Sequence, residues 1–226
     1  MAETPNTGEA NYNLYKPFGP TMMRIELPSV IYDSLLQITD DILKDENRQS
    51  WGPNLAGQIK EEPYIPHSVL EENDLRRFFE DVCKGYVKMV YSNSPLPKKK
   101  YNDPTIELKD FWVVSQYKNE YNPAHYHTNC TISGVLYLKV PPIEQRVIYG
   151  KDQITDGCIE WIYNAPHPGT MDFGAHRQFP KEGDLWLWPS KLPHVVYPFC
   201  DDGERRSIAF NAAHRFLDEN GEEWHG

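Results

Sequence analysis

Apolar residues recur at helical spacing in two stretches of the chain. Over residues 29–45 they are Ile31, Leu35, Leu36, Ile38, Ile42 and Leu43, and over 68–91 they are Leu70, Leu75, Phe78, Phe79, Val82, Val87 and Val90. A stripe of this kind must be buried against another element, so both stretches predict amphipathic helices lying on something flat. Ser68 precedes Glu71 by three residues and stands ahead of the apolar run, the capping-box spacing that satisfies the free amides of a helix start. Pro95 and Pro97 end this helical half.

From Thr105 onward the pattern changes to short runs rich in β-branched and aromatic residues, over 106–116, 125–140, 158–163, 184–188, 194–197 and 205–211. Pro, Gly, Asn and Asp fill the gaps. Many short strands without helices between them predict an antiparallel sandwich or barrel, with the two preceding helices covering one outer face. The expected fold is mainly β with flanking helices. A polar tail over 1–15, a helical part over 16–104 and a β core over 105–226 together form one structural domain. No internal repeat is visible.

Composition narrows the function classes. At 226 residues, 39% of them hydrophobic, the chain can bury a core without a metal or disulfide staple. Its longest apolar runs, 112–114, 132–138 and 185–188, are too short to cross a bilayer, so no membrane partner is expected. A formal net charge of -10 argues against nucleic acid as a partner. The one basic run, Lys98, Lys99 and Lys100, follows two prolines and reads as a solvated loop. Cys83, Cys130, Cys158 and Cys200 are widely spaced, form no C-x-x-C pair and follow no signal-peptide pattern, which predicts reduced thiols in a cytoplasmic protein.

Three histidines stand out as candidate ligands. His125 and His127 lie two apart in a segment that reads as a strand, so both imidazoles project from one face and can share a metal ion; two histidines on a strand are equally often polar residues on its wet side. Downstream, the run from Gly183 to His194 reads as a turn, a buried strand, a proline-bounded turn and a histidine opening the next strand. Three neutral imidazoles, or two plus a carboxylate, leave open positions on a divalent iron. In the last strand Arg205, Ser207, Ala209 and Asn211 share one face and Arg206, Ile208 and Phe210 the other. If the first face is interior, Arg205 offers a rigid fork of donors to a carboxylate and Ser207 adds a hydroxyl. If it is not, Arg205 is an ordinary surface arginine.

The order H-x-H, S-G-V-x-Y-L, G-x-L-x-L-x-P-S-x-x-x-H and R-x-S-I-x-F-N, over roughly residues 112–211, resembles the 2OG-Fe(II) oxygenase family common in marine bacteria and phages, within the wider Fe(II)/2-oxoglutarate-dependent dioxygenase superfamily. The resemblance implies a double-stranded β-helix, or jelly roll. It implies Fe(II) held by His125, His127 and His194, and 2-oxoglutarate gripped by Arg205 and Ser207 with Tyr137 as a further hydrogen-bond partner. Tyr117, just before the ligand strand, is a candidate pocket residue by position, and an exposed loop place accounts for it as well. It further implies hydroxylation of a small-molecule, amino-acid or peptide substrate, coupled to decarboxylation of 2-oxoglutarate to succinate and CO2. The chain departs from the pattern at the second ligand, where most of the superfamily has Asp or Glu and this sequence has His127. Either His127 completes a three-histidine face or it stays off the metal.

The other histidines, His67, His167, His176, His214 and His225, lack a partner at ligand spacing and are expected in surface or loop roles. The connection over 164–179 is long and lies between two strands, as a lid or substrate loop would. Two competing readings remain. A cupin-type metal enzyme without 2-oxoglutarate fits Gly183, Asp184, Pro189 and His194, but residues 128–132 lack the glutamate its first motif needs. A non-catalytic jelly-roll binding protein would use the six tryptophans and fourteen tyrosines as its contact surface.

Overall fold

The computed structural model describes residues 19–92, 104–163 and 174–216. The tail expected over 1–15, the lysine run at 98–100, His167, His225 and most of the 164–179 connection lie outside those residues. In chain order the described elements are β1 (Met23–Glu26), α1 (Ser29–Lys44), a short 3-10 turn (Gly52–Asn54), α2 (His67–Glu72), α3 (Arg76–Tyr91), β2 (Thr105–Gln116), β3 (Asn122–His125), β4 (Ile132–Lys139), β5 (Arg146–Ile148), β6 (Lys151–Gln153), β7 (Ile159–Ile162), β8 (Ala175–Gln178), β9 (Asp184–Pro189), β10 (His194–Val196) and β11 (Arg205–Arg215).

A five-stranded sheet, β1-β9-β4-β11-β2, and a four-stranded sheet, β3-β10-β7-β8, form the two layers of the jelly roll, with β5 and β6 as a separate hairpin. Every strand pairing is antiparallel. The larger sheet is buried on both faces, and strand alternation sorts its side chains. Leu136, Leu185, Leu187, Ile208 and Phe210 share one core cluster with Leu35 of α1, Leu70 of α2 and Phe79 and Val87 of α3. Val135, Tyr137, Trp186 and Trp188 form a second cluster with Ile159, Trp161 and Val196 of the smaller sheet. The two faces proposed for β11 therefore do not compete: Ile208 and Phe210 pack under the helices while Arg205 and Ser207, each 2% exposed, point between the sheets. Among the described residues no helix is long and apolar enough to cross a membrane.

The second predicted helix is two helices. It starts at His67, with Pro66 at the cap position and no side-chain cap hydrogen bond, so Ser68 sits two residues too deep to close a capping box. It breaks where Asp74 takes φ 56. The Leu75 amide reaches the Leu70 carbonyl at 2.8 Å and the Asp74 amide reaches Glu71 at 3.2 Å, the two bonds of a Schellman stop, with Leu70 and Leu75 packed beneath it. The run predicted as one strand over 125–140 is likewise divided: β3 ends at His125, and a turn with Asn129 at φ 60 intervenes before β4.

The part expected to be helical also supplies strand β1, which extends the larger sheet by pairing with β9. Residues 58–64 then run along the free edge of β2. Backbone amides of Val113 and Ser115 donate to the carbonyls of Pro63 (2.9 Å) and Glu61 (3.0 Å), and the Gln58 amide donates to the Tyr121 carbonyl (2.8 Å). This covers an edge that would otherwise template aggregation. Strand β8 falls inside the stretch expected to be a structureless connection; apart from Ala175 it is polar, and it is held by pairing with β7 and by His176 stacking at 5.9 Å on Trp161.

Candidate metal centre and anion site

His125 closes β3 and His194 opens β10, and antiparallel pairing sets these two residues directly opposite each other. His127 lies past the end of β3, but its amide donates to the Ser190 carbonyl at 3.0 Å, which holds it beside the turn that leads to His194. The three rings are brought together: centroids lie 4.3 Å apart for His125 and His194, 5.1 Å for His127 and His194 and 5.3 Å for His125 and His127. One ring nitrogen of each lies within 4.8 Å of the others, and no carboxylate joins the group among the described residues.

Each ring is oriented by an oxygen at Nδ1: the Pro123 carbonyl for His125 (2.7 Å), Asn211 Oδ1 for His127 (2.6 Å) and the Leu192 carbonyl for His194 (3.1 Å). A carbonyl oxygen only accepts, so Nδ1 carries the proton and Nε2 is left with a free lone pair. Burial lowers all three imidazoles below their usual range, His127 to about 4, and mutual repulsion adds to this for His127 and His194. The three rings are therefore neutral near pH 7. Three neutral, pre-oriented imidazoles with converging lone pairs and no internal counter-charge fit a divalent transition metal.

Arg205 lies on the same cleft. Its Nη1 donates to Gln116 Oε1 at 2.7 Å and its Nη2 approaches the Tyr137 hydroxyl at 3.4 Å, while its Nε is buried without a partner. Gln116 is itself anchored through its amide to the Glu120 carbonyl at 2.6 Å. Among the described residues no acidic side chain pairs with Arg205, so a buried guanidinium stands ready for an anion. Burial raises the Tyr137 phenol, against the pull of Arg205, so it remains a donor. Ser207 lines the cleft beside them. These residues fit a carboxylate.

The cleft contains about 540 Å³ of empty space, its mouth included, and is lined by the triad, Arg205, Ser207 and Tyr137, by Trp112, Val114 and Trp188, and by Leu55, Ala56 and Glu62 from the N-terminal segment. Tyr117 is not brought there: it is 45% exposed and faces a separate groove with Arg48, Lys60 and Glu204. The strand reading of residues 106–116 ends one residue before it, and alternation does not extend into the turn that follows. His67 Nε2 donates to the Lys109 carbonyl (2.6 Å), and His214 sits between Tyr91 and Thr131, so both brace the fold away from the triad. Asn211 and Gln116, the partners of His127 and Arg205, were not singled out by sequence. For Asn211 a signal existed, its place on the same strand face as Arg205 and Ser207.

Residues 110–211 match the family described as "Putative 2OG-Fe(II) oxygenase". No curated protein sequence matches the chain. Among solved structures it is similar to two non-heme α-ketoglutarate-dependent enzymes of nogalamycin biosynthesis. One is the carbocyclase SnoK, at 10% identity, covering 91% of this chain and 89% of that one with a TM-score of 0.54. The other is the epimerase SnoN, at 13% identity, 86% and 80% coverage and a TM-score of 0.54. It is also similar to HygX from Streptomyces hygroscopicus, solved with nickel and 2-oxoglutarate, at 13% identity, 88% and 84% coverage and a TM-score of 0.53. At these identities the likeness is one of fold.

Proposed function

We propose, from the match of residues 110–211 to the 2OG-Fe(II) oxygenase family, that the chain is an iron- and 2-oxoglutarate-dependent hydroxylase in which His125, His127 and His194 hold Fe(II) and Arg205, Ser207 and Tyr137 hold 2-oxoglutarate. The observation that carries this reading is the pairing, in one cleft, of three neutral imidazoles with a buried guanidinium that has no acidic partner among the described residues. The first group suits a cation and the second an anion. Bound Fe(II) and 2-oxoglutarate, with dioxygen as the oxidant, would supply the oxidation, one oxygen atom going to the succinate formed as the co-substrate loses CO2 and the other into a substrate C–H bond.

The protein's own part is to bind, orient and shield. The Nδ1 hydrogen bonds fix each imidazole and leave Nε2 as the nitrogen free to bind a metal. Gln116 and Tyr137 hold the Arg205 fork in place, leaving the Nε–H to donate to a carboxylate of the co-substrate. Trp161, Trp186 and Trp188 pack the interior behind the triad, with Trp188 edge-on to His194 at 5.0 Å, and keep bulk water from that side. A three-histidine set is favoured over a two-histidine one because Asn211 prepares His127 in the same way that backbone carbonyls prepare the other two rings. The primary substrate is a small molecule, an amino acid or a peptide, and the four free cysteines agree with a reducing, cytoplasmic location.

The test is anaerobic addition of Fe(II) and 2-oxoglutarate to the purified protein while watching for the weak visible charge-transfer band of the chelate. Wild type should give the band, and Arg205→Ala and His194→Ala should both lose it. Iron binding without any band on adding 2-oxoglutarate would instead favour a cupin-type metal enzyme, and binding of neither would leave a jelly-roll binding module.

A further inference from the structure

Glu62 lies outside the matched family segment, on the stretch that runs along β2. The register that pairs Glu61 with Ser115 and Tyr64 with Trp112 sets Glu62 opposite Val114, and like Trp112 and Val114 it lines the cleft of the triad. The residue is 3% exposed, and both carboxylate oxygens are buried without a hydrogen-bond partner. The cations of this segment serve its neighbour: Arg48 and Lys60 pair with Glu61 at 2.8 and 3.8 Å. A carboxylate desolvated with nothing to offset it is costly, and a leucine or glutamine there would serve packing better.

The surroundings are arranged for a donor that the chain does not provide. Asn122 also lines the cleft, and its Oδ1 converges with Glu62 Oε1 on the Cα of Gly57, where a Cβ would run into Asn122 and come within 3.2 Å of Glu62 Oε1. Two acceptor oxygens thus face one small space that is kept open by a missing side chain. Glu62 does not supply the carboxylate ligand that the family usually has, because it falls outside the group whose ligand atoms converge with the three histidines.

We propose that Glu62, with Asn122, is the recognition site for the substrate to be oxidised, and that this substrate carries a cationic nitrogen, a protonated amine or a guanidinium. The proposal rests on the oxygenase reading for what happens at the metal end of the cleft. Opposite charges then sort the two ligands: Arg205 attracts the dicarboxylate co-substrate and repels a cationic substrate, while Glu62 does the reverse.

The experiment is titration of the full chain with n-butylamine and n-butylguanidinium, alongside butanol and butyrate as neutral and anionic counterparts, followed by ligand-observed NMR. Blocked lysine and arginine amides form further arms that tell a peptide side chain from a free amine. Wild type should bind the cations in preference to the other two. Glu62→Gln should weaken that binding by about tenfold or more, the scale of losing one charged hydrogen-bond partner. Glu61→Gln, one residue away on the other face, should not. Gly57→Ala, which fills the space between the two acceptors, gives a second variant should Glu62→Gln fold poorly, and it should weaken the cations likewise. Equal binding to wild type and Glu62→Gln, no preference for cations, or no binding at all overturns the proposal. The chelate band of the wild-type protein is recorded in parallel: a band without cation binding sinks this inference alone, and absence of the band sinks the oxygenase reading.

Discussion

Asn211 accepts from His127 Nδ1 and from the Ser133 hydroxyl at 3.1 Å, so one amide oxygen fixes the second imidazole of the H-x-H pair. If His127 is a ligand, Asn211→Ala should lower metal affinity by about 10- to 100-fold, the usual effect of removing the group behind a ligating histidine. Competition with a calibrated chelator measures this, and an unchanged affinity would take His127 off the metal. Glu62 makes a second residue-scale prediction. Burial, helped by the nearby negative charge of Glu120, raises its carboxyl from 4.5 to about 7. The folded state therefore binds a proton more tightly than the unfolded one. Stability from this group is full below about pH 4.5, falls as pH rises toward 7 and is lost above it, a span on the order of 3 kcal/mol. Urea denaturation at a series of pH values should show this decline in wild type, superposed on other titrations, and a flatter profile in Glu62→Gln.

At the scale of elements, Gly134 on β4 sits under the Phe210 ring of β11, and a Cβ there would collide with that ring. Phe210 is held in turn by stacking on Phe111 (5.1 Å, 7°) and by edge contact with Phe79 of α3 (5.2 Å). With no room to move aside, Gly134→Ala should cost about 1–3 kcal/mol by urea denaturation, as overpacking in a close-packed core does. An unchanged midpoint would mean that the ring yields freely. Helix α1 was legible because its apolar stripe is continuous, and β4, β9 and β11 because they are buried on both faces or alternate clearly. The break between α2 and α3 was not, since the left-handed residue is Asp74 rather than glycine. Strands β1 and β8 are four residues long, too short for the alternation of β1 or the polar run of β8 to mark a strand, and they are held by pairing with β9 and β7. The triad and Arg205 were legible as spaced motifs. Glu62 was not, because a lone glutamate in a polar stretch gives no sign of which face it will occupy until the register along β2 is known.

For the whole molecule, the helices and the β core do not separate into parts with independent interiors. Leu35, Leu70, Leu75, Phe79 and Val87 share one cluster with Leu108, Phe111, Leu136, Leu185 and Phe210. Arg206, on that same face, joins Asp40 of α1 (2.6 Å) to Glu204 (2.7 Å). We therefore expect residues 105–226 expressed alone to expose the outer face of the larger sheet and to behave as an aggregating or molten species, with strong binding of a hydrophobic dye and poor amide dispersion in NMR. Well-dispersed spectra from that fragment would make the helical part a removable cover.

The segment from Gln58 to Ile65 is fastened to β2 and the turn after it through main-chain atoms: Ile65 to Phe111, Pro63 to Val113, Glu61 to Ser115 and Gln58 to Tyr121. Such an attachment is indifferent to which side chains the segment bears. The machinery of oxidation and the face that greets the substrate are thus written in different stretches of the chain, and the second can be rewritten without unfastening it. Exchanging residues 55–62 is accordingly the natural way to redirect this scaffold toward a new substrate while its iron and co-substrate sites stay untouched.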